Sequence, residues 1–298
     1  MAAKLSKNNC TGKGWAARCL LAALILIIAP QPARAMQPVF KPLAGYLETK
    51  GMSKAQAQSL LSSPRLKFQG KLLSGLLAKS EKSRNYAQFL ASDSVSRSKK
   101  FMRRHQELLA QSQRSFGVPG EVVVAILAIE SGLGSYTGRW NTMSVLASQA
   151  VLDSPKGRQM LYRHWPVKQR AYFHSPEFKK RLDWRAGWAR GEVVALLRLA
   201  AMRRVSPYDF RGSAAGALGM SQFVPSSILK HGTDGDGDGT VDLDNTHDAV
   251  HSVSVYLLVH GWRPGMSREQ QIEIILTYNK STPYANTVLD LAAKLGFE

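Results

Sequence analysis

The run Val122-Val-Val-Ala-Ile-Leu-Ala-Ile129 is apolar on every side, and it stops at Glu130-Ser-Gly132. A helix with no polar face has nowhere to go but the interior. Whatever this chain folds into must therefore wrap other elements around residues 122–129. Pro119 fits the first turn of that helix, and Gly132 ends it. The same run leaves a carboxyl at the helix C-terminus. Two forces there oppose charge on Glu130: the apolar surroundings and the negative end of the helix dipole, about 0.3–1 kcal/mol. A carboxyl kept protonated in this way suits a general acid. An ordinary surface glutamate meeting a Lys or Arg is the competing reading.

The N-terminus reads as a targeting segment. Lys4, Lys7, Lys13 and Arg18 precede the apolar run Cys19 to Ala29, and Ala33-Arg34-Ala35 supplies an A-x-A cleavage site. Eleven apolar residues are too few for a span, which needs about 20. The expectation is a signal peptide over 1–35, cleavage near Ala35 and a secreted, periplasmic chain from Met36. Cys10 and Cys19 both lie in the leader, and neither follows the apolar run. That argues against a lipoprotein anchor and leaves the mature chain to be held by its core. Removing the leader's five cations, with no acid among them, from the net +19 leaves +14. Such a surface attracts polyanions. For an exported protein, peptidoglycan with its stem-peptide carboxylates fits better than nucleic acid.

Helical patterns dominate the remainder. Ser53 is expected to cap a helix. Ser83 to Gln113 reads as a polar, basic, peripheral helix. Gly191 to Arg204 reads as a helix with Ala195, Leu196, Leu199 and Met202 inside. Residues 207–222 are Gly-rich and irregular. Ala249–His260 and Gln270–Tyr278 are further apolar segments, and few period-2 strands are visible.

Three blocks carry a family resemblance: Ala128-Ile-Glu130-Ser-Gly-Leu-Gly134 with Gly138, Gly212-Ser213-Ala-Ala-Gly-Ala-Leu-Gly-Met220-Ser-Gln222-Phe223-Val-Pro-Ser-Ser227, and Tyr278-Asn279-Lys-Ser-Thr-Pro-Tyr284-Ala285. In order and spacing they resemble the B-type lytic murein transglycosylases (glycoside hydrolase family 103) from about residue 40 onward. Alone, each block reads as readily as core or turn. The resemblance implies a mainly α fold, a lysozyme-like catalytic core with additional helices and little β, over 36–298. It implies Glu130 as the catalytic acid/base. Ser213 and Gln222 would line a glycan groove, Met220 and Phe223 would form its apolar wall, and Tyr278, Asn279 and Tyr284 would contact the sugar near the scissile bond. Arg170 and Tyr172 fall near an Arg/Tyr segment of the family. The expected partner is the glycan strand of peptidoglycan, with other cell-wall enzymes in the same compartment, and the chain is expected to be a monomer.

Asp234-Gly-Asp236-Gly-Asp238-Gly-Thr240 follows the opening of an EF-hand loop, in which alternate oxygens converge on one ion. Asn245 stands where the closing Glu is usual, and the resemblance suggests closure by Asp248. The expectation is an EF-hand-like loop holding a structural calcium, with no cofactor for the chemistry. A flexible acidic turn is the alternative. His247 and His251 are spaced i, i+4 but lack the neighbouring ligands of a zinc site.

Overall fold

The computed structural model describes residues 35–78 and 85–297. Residues 1–34 of the leader and the start of the expected 83–113 helix lie outside them.

Fourteen α-helices and one two-residue strand pair make up the described regular structure, beside short 3-10 turns. The first helices are α1 (Lys41–Thr49), α2 (Lys54–Leu61) and α3 (Gly70–Leu77). Ser53 caps α2 as expected. Its side chain accepts from the Gln56 amide while Gln56 reaches back to the Ser53 amide, a reciprocal capping box. The expected single basic helix is two helices, α4 (Ser92–Arg104) and α5 (Gln106–Phe116). The break is at His105, at φ −116° and ψ 29°. The bend lets α4 pack on the apolar helix and α5 pack on a later one, which a single straight rod could not do.

The apolar run forms α6 (Gly120–Ser131), where Val122 through Leu127 are each at most 1% exposed. Burying one such side chain stabilises by about 1.5–3 kcal/mol, so this helix is the axis of the main core. Leu127→Ala would cost about 2–5 kcal/mol there. The strand β1 (Trp140–Asn141) then pairs antiparallel with β2 (Arg211–Gly212), Trp140 opposite Gly212. Next come α7 (Thr142–Gln149), α8 (Pro155–Tyr162) and α9 (Arg170–Phe173).

α10 (Pro176–Met202) is longer than the expected 191–204. Ser175 caps it and Pro176 occupies its first turn. Its first half buries Phe178, Leu182, Ala186 and Ala189 at helical spacing, a stripe masked in sequence by the Lys, Arg and Trp between them. Met202 was expected inside but is 72% exposed, because the helix ends there and the chain turns away. The remaining helices are α11 (Pro225–His231), α12 (Thr246–Val259), α13 (Arg268–Tyr278) and α14 (Thr282–Leu295). α14 lies along α6, and α12 packs on both α5 and α6. A satellite core of Leu73, Leu161, Trp165, Phe173, Phe178 and Leu182 sits apart from the main one.

Candidate active site and acidic loop

Glu130 is half-buried at the end of α6. The chain leaves the helix abruptly: Gly132, Leu133 and Gly134 have φ of 58°, 60° and 84° in succession. The Gly132 and Leu133 amides close back on the carbonyls of Ala128 and Leu127, which satisfies the open end of the helix. Leu133 is not glycine, so its left-handed backbone costs about 1–2 kcal/mol. Ser131 offsets part of this. Its hydroxyl accepts from the Gly134 amide at 3.0 Å, and its carbonyl accepts from the Tyr136 amide at 2.9 Å. The result is a tight corner immediately behind the carboxyl.

The second sequence block is pressed against that corner. A Cβ on Gly138 would stand 2.0 Å from the carbonyl carbon of Gly212, so no side chain fits. Gln222, itself at φ 50°, donates its amide to the carbonyls of Thr137 at 3.0 Å and Gly219 at 2.8 Å. Ser213 shapes its own turn: its hydroxyl accepts from the Ala217 amide at 3.1 Å. The block continues into α11, and there buried Glu192 receives both the amide of Ser226 at 2.9 Å and its hydroxyl at 2.7 Å.

The third block closes the site from behind. Tyr284 is 1% exposed and donates its hydroxyl to Oε1 of Glu130 at 2.7 Å. Ser281 caps α14 by accepting from the Tyr284 amide, which sets the ring's position on its helix. Tyr278 donates its hydroxyl to the Ser221 carbonyl, and its ring lies 5.6 Å from Phe223 and 4.9 Å from Tyr256. Burial first, and the nearby Glu130 carboxylate second, push both phenols well above the usual value. Each therefore stays a neutral donor at working pH. Asn279 ends α13 in extended backbone, half-buried at the turn into α14.

Two placements differ from the sequence reading. Met220 and Phe223 are 4% and 3% exposed. They support the site from beneath, Met220 lying under Gly134, and do not present a wall to a ligand. Arg170 and Tyr172 sit in and around the satellite core, Arg170 over the Tyr162 ring at 5.4 Å and Tyr172 5.0 Å from Phe178. The structure joins Glu130 to Tyr284 directly and sets the turns of Ser213 and Gln222 against Gly138 and Thr137. Sequence reasoning missed Tyr86, whose ring meets Tyr284 edge-on at 6.1 Å, and Glu192. Neither lies in a quoted block, and no local spacing marks them.

In the acidic loop, carboxylate oxygens of Asp234, Asp236 and Asp248 lie within 4.8 Å of one another. Asp248 is 1% exposed in the first turn of α12 and accepts from the Gly235 amide at 2.7 Å and the Asp242 amide at 2.6 Å. A Cβ on Gly235 would stand 2.3 Å from Nδ1 of His251, so the loop lies directly on α12. Asp234 accepts from the Gly237 and Gly239 amides, and the Gly239 bond is the first cause holding its carboxyl below the usual range. The converging carboxylates make a hard-oxygen donor set of the kind that suits calcium or magnesium. Asp238 and Thr240 are exposed, and Asp238 accepts from the Thr240 amide rather than joining the three. His251 packs edge-on against Phe116 at 5.5 Å, while His247 is exposed.

A nearly all-helical fold, with one glutamate at the junction of three sequence blocks that hold no other carboxylate, defines the class. The chain belongs to the transglycosylase SLT domain family, whose model matches residues 35–274. It is 28% identical over 177 residues to the membrane-bound lytic murein transglycosylase B of Escherichia coli K12. That stretch is 59% of this chain and 41% of the E. coli protein, so less than half of the relative is matched. The fold is shared with soluble lytic transglycosylase SltB1 of Pseudomonas aeruginosa, at TM-score 0.68 and 22% identity over 87% of this chain and 98% of that one. It is shared equally with E. coli Slt35, solved in complex with calcium, at TM-score 0.67 and 22% identity over 87% and 92%.

Proposed function

We propose that this chain is a lytic transglycosylase that cleaves the β-1,4 bond between N-acetylmuramic acid and N-acetylglucosamine in peptidoglycan, with Glu130 as the one acid/base. The observation that carries the reading is the hydrogen bond from Tyr284 to Glu130 at the meeting point of the three blocks. A two-carboxylate glycosidase needs a second Asp or Glu across the bond, and these blocks offer none. One carboxyl suffices if the substrate provides the nucleophile.

Glu130 gives its proton to the glycosidic oxygen as the C1–O bond breaks. The muramyl acetamido oxygen stabilises the electron-poor C1. Glu130, now a carboxylate, takes the proton from O6 of the same sugar, and O6 closes on C1. The product is a 1,6-anhydromuramyl end, no water is consumed, and Glu130 is protonated again. Tyr284 orients the carboxyl throughout. Ser213, Gln222 and Asn279 are the polar groups assigned to the groove, with Tyr278 or Asn279 toward the acetamido group. Mass spectrometry of muropeptides released from sacculi tests this. Anhydro ends are expected; reducing ends, heavier by one water, would make the protein a hydrolytic muramidase instead.

Asp234, Asp236 and Asp248 are proposed to hold a structural calcium that fixes the acidic loop on α12, away from the chemistry. The basic leader, apolar run and A-x-A site support export to the cell envelope with residues 36–298 as the catalytic part. No helix among the described residues is long and apolar enough to cross a membrane.

A further inference from the structure

The helix α4 carries Arg97, Lys99, Lys100, Arg103 and Arg104, all exposed, against one acid, Asp93. Elsewhere cations are tied to aspartates, as Arg190 is to Asp153 at 2.6 Å. The cations of α4 enter no ion pair among the described residues. One of them, Arg97, lines a cavity of about 130 Å³ between α4, the 3-10 turn Ala87–Leu90 and the end of α6. Gln88, Phe89 and Ser94 also line it, and so do Gly132 and Leu133.

Gly132 and Leu133 are the corner behind Glu130. Consecutive Cα atoms are about 3.8 Å apart, so those of Gly132 and Glu130 lie within about 7.6 Å of each other. The Phe89 wall leads to the same carboxyl. The Phe89 ring is 6.2 Å from Tyr86, Tyr86 is 6.1 Å from Tyr284, and Tyr284 donates to Glu130. Gly132 is exposed, and Phe89, Tyr86 and Glu130 are half-buried. The rim shared by cavity and carboxyl therefore lies at the surface.

We propose that this cavity is a subsite for the stem peptide of the muramyl unit, with Arg97 pairing with a peptide carboxylate; this rests on the function proposed above and assigns a part of the substrate left open there. Size selects among the parts of a murein strand. Pockets for whole small molecules hold about 300–1,000 Å³, so this cavity suits a peptide residue and not an N-acetylated sugar. Charge selects in the same direction. N-acetylglucosamine is neutral, whereas the stem peptide ends in a carboxylate, and a guanidinium binds that group with two parallel hydrogen bonds. Reach agrees as well. The peptide hangs from the sugar on which Glu130 acts, and an extended chain gains about 3.3–3.6 Å per residue, so two or three residues span the interval.

The test uses Glu130→Gln protein, which binds without cutting. It is titrated with soluble murein oligosaccharides bearing intact stem peptides, and with the same material after its peptide carboxylates are amidated. The native form is expected to bind more tightly. Arg97→Gln should lower the ratio of the two affinities about three- to fivefold, the scale of one partly exposed ion pair. Arg97→Lys should keep part of it, because an ammonium retains the charge without the fork. Lys100→Gln removes the same charge from the same helix away from the cavity and should leave the ratio nearly unchanged. Because Arg97 is exposed, the thermal midpoint serves as the folding control. A ratio that Arg97→Gln does not alter, or that Lys100→Gln lowers as far, overturns the subsite. So does an Arg97-dependent affinity for anionic lipid vesicles without preference for the native peptide. Should wild-type protein release no anhydro ends from sacculi while the Arg97-dependent ratio persists, the catalytic reading falls and the subsite stands.

Discussion

Two carboxylates sit at opposite ends of helices that pack on one another. Glu130 closes α6, at the pole where the helix dipole opposes negative charge; Asp248 lies in the first turn of α12, where the dipole favours it. Their partners differ in kind. Asp248 accepts from two backbone amides, fixed by the course of the chain. Glu130 accepts from a phenol on a neighbouring helix. The contrast teaches how one functional group is held in two ways. A carboxylate bound by two backbone amides at a positive pole pins the loop that supplies them. A carboxyl braced by a neutral donor at a negative pole suits the proton exchange proposed for Glu130.

The contrast is broken most directly at Glu130. Glu130→Gln is expected to slow murein solubilisation by about 10³-fold, the scale of losing a general acid, with an unchanged thermal midpoint. Turbidity clearing of sacculi measures the first and calorimetry the second. Substantial remaining activity would show that the two carboxylates do not divide the work as described. Asp248→Ala should do the opposite. Two amides lose a charged acceptor, so urea unfolding should report a loss of about 3 kcal/mol, with turnover per folded molecule within about twofold. Added calcium should raise the melting temperature of the wild type and not of this variant.

Tyr284→Phe sharpens the comparison with a smaller effect. It keeps the ring and removes the donor, so kcat should fall about tenfold, or ~1.4 kcal/mol, with KM little changed. The same tyrosines set an alkaline limit. Their folded pKa lies above the unfolded value of about 10. Stability should thus be flat with respect to these groups below about pH 10. It should decline above it, because the unfolded chain ionises there first. The decline should be shallower in Tyr284→Phe, as melting temperatures measured across alkaline pH would show.

The sequence revealed those parts of the site that are contiguous in it. The apolar stretch ending at Glu130, the Gly-rich block and the tyrosine block each announce themselves over a few residues, and the structure brings them together. What stayed hidden is what depends on distant segments meeting: Tyr86 against Tyr284, Gln222 on the Thr137 carbonyl, Glu192 on Ser226. The first half of α10 was illegible for another reason. Its apolar period of Phe178, Leu182, Ala186 and Ala189 is thin, two of the four being alanine, and Lys, Arg and Trp crowd around it.

The nesting of Gly138 into Gly212–Ser213 has a consequence for inheritance. Gly138 cannot grow a side chain without displacing the Gly212–Ser213 backbone, so the two stretches of chain, some seventy residues apart, are a single unit of recombination. A chimera that imports the segment around Glu130 from a relative must import the facing turn with it, or the carboxyl arrives in a protein that no longer has room for its own loop.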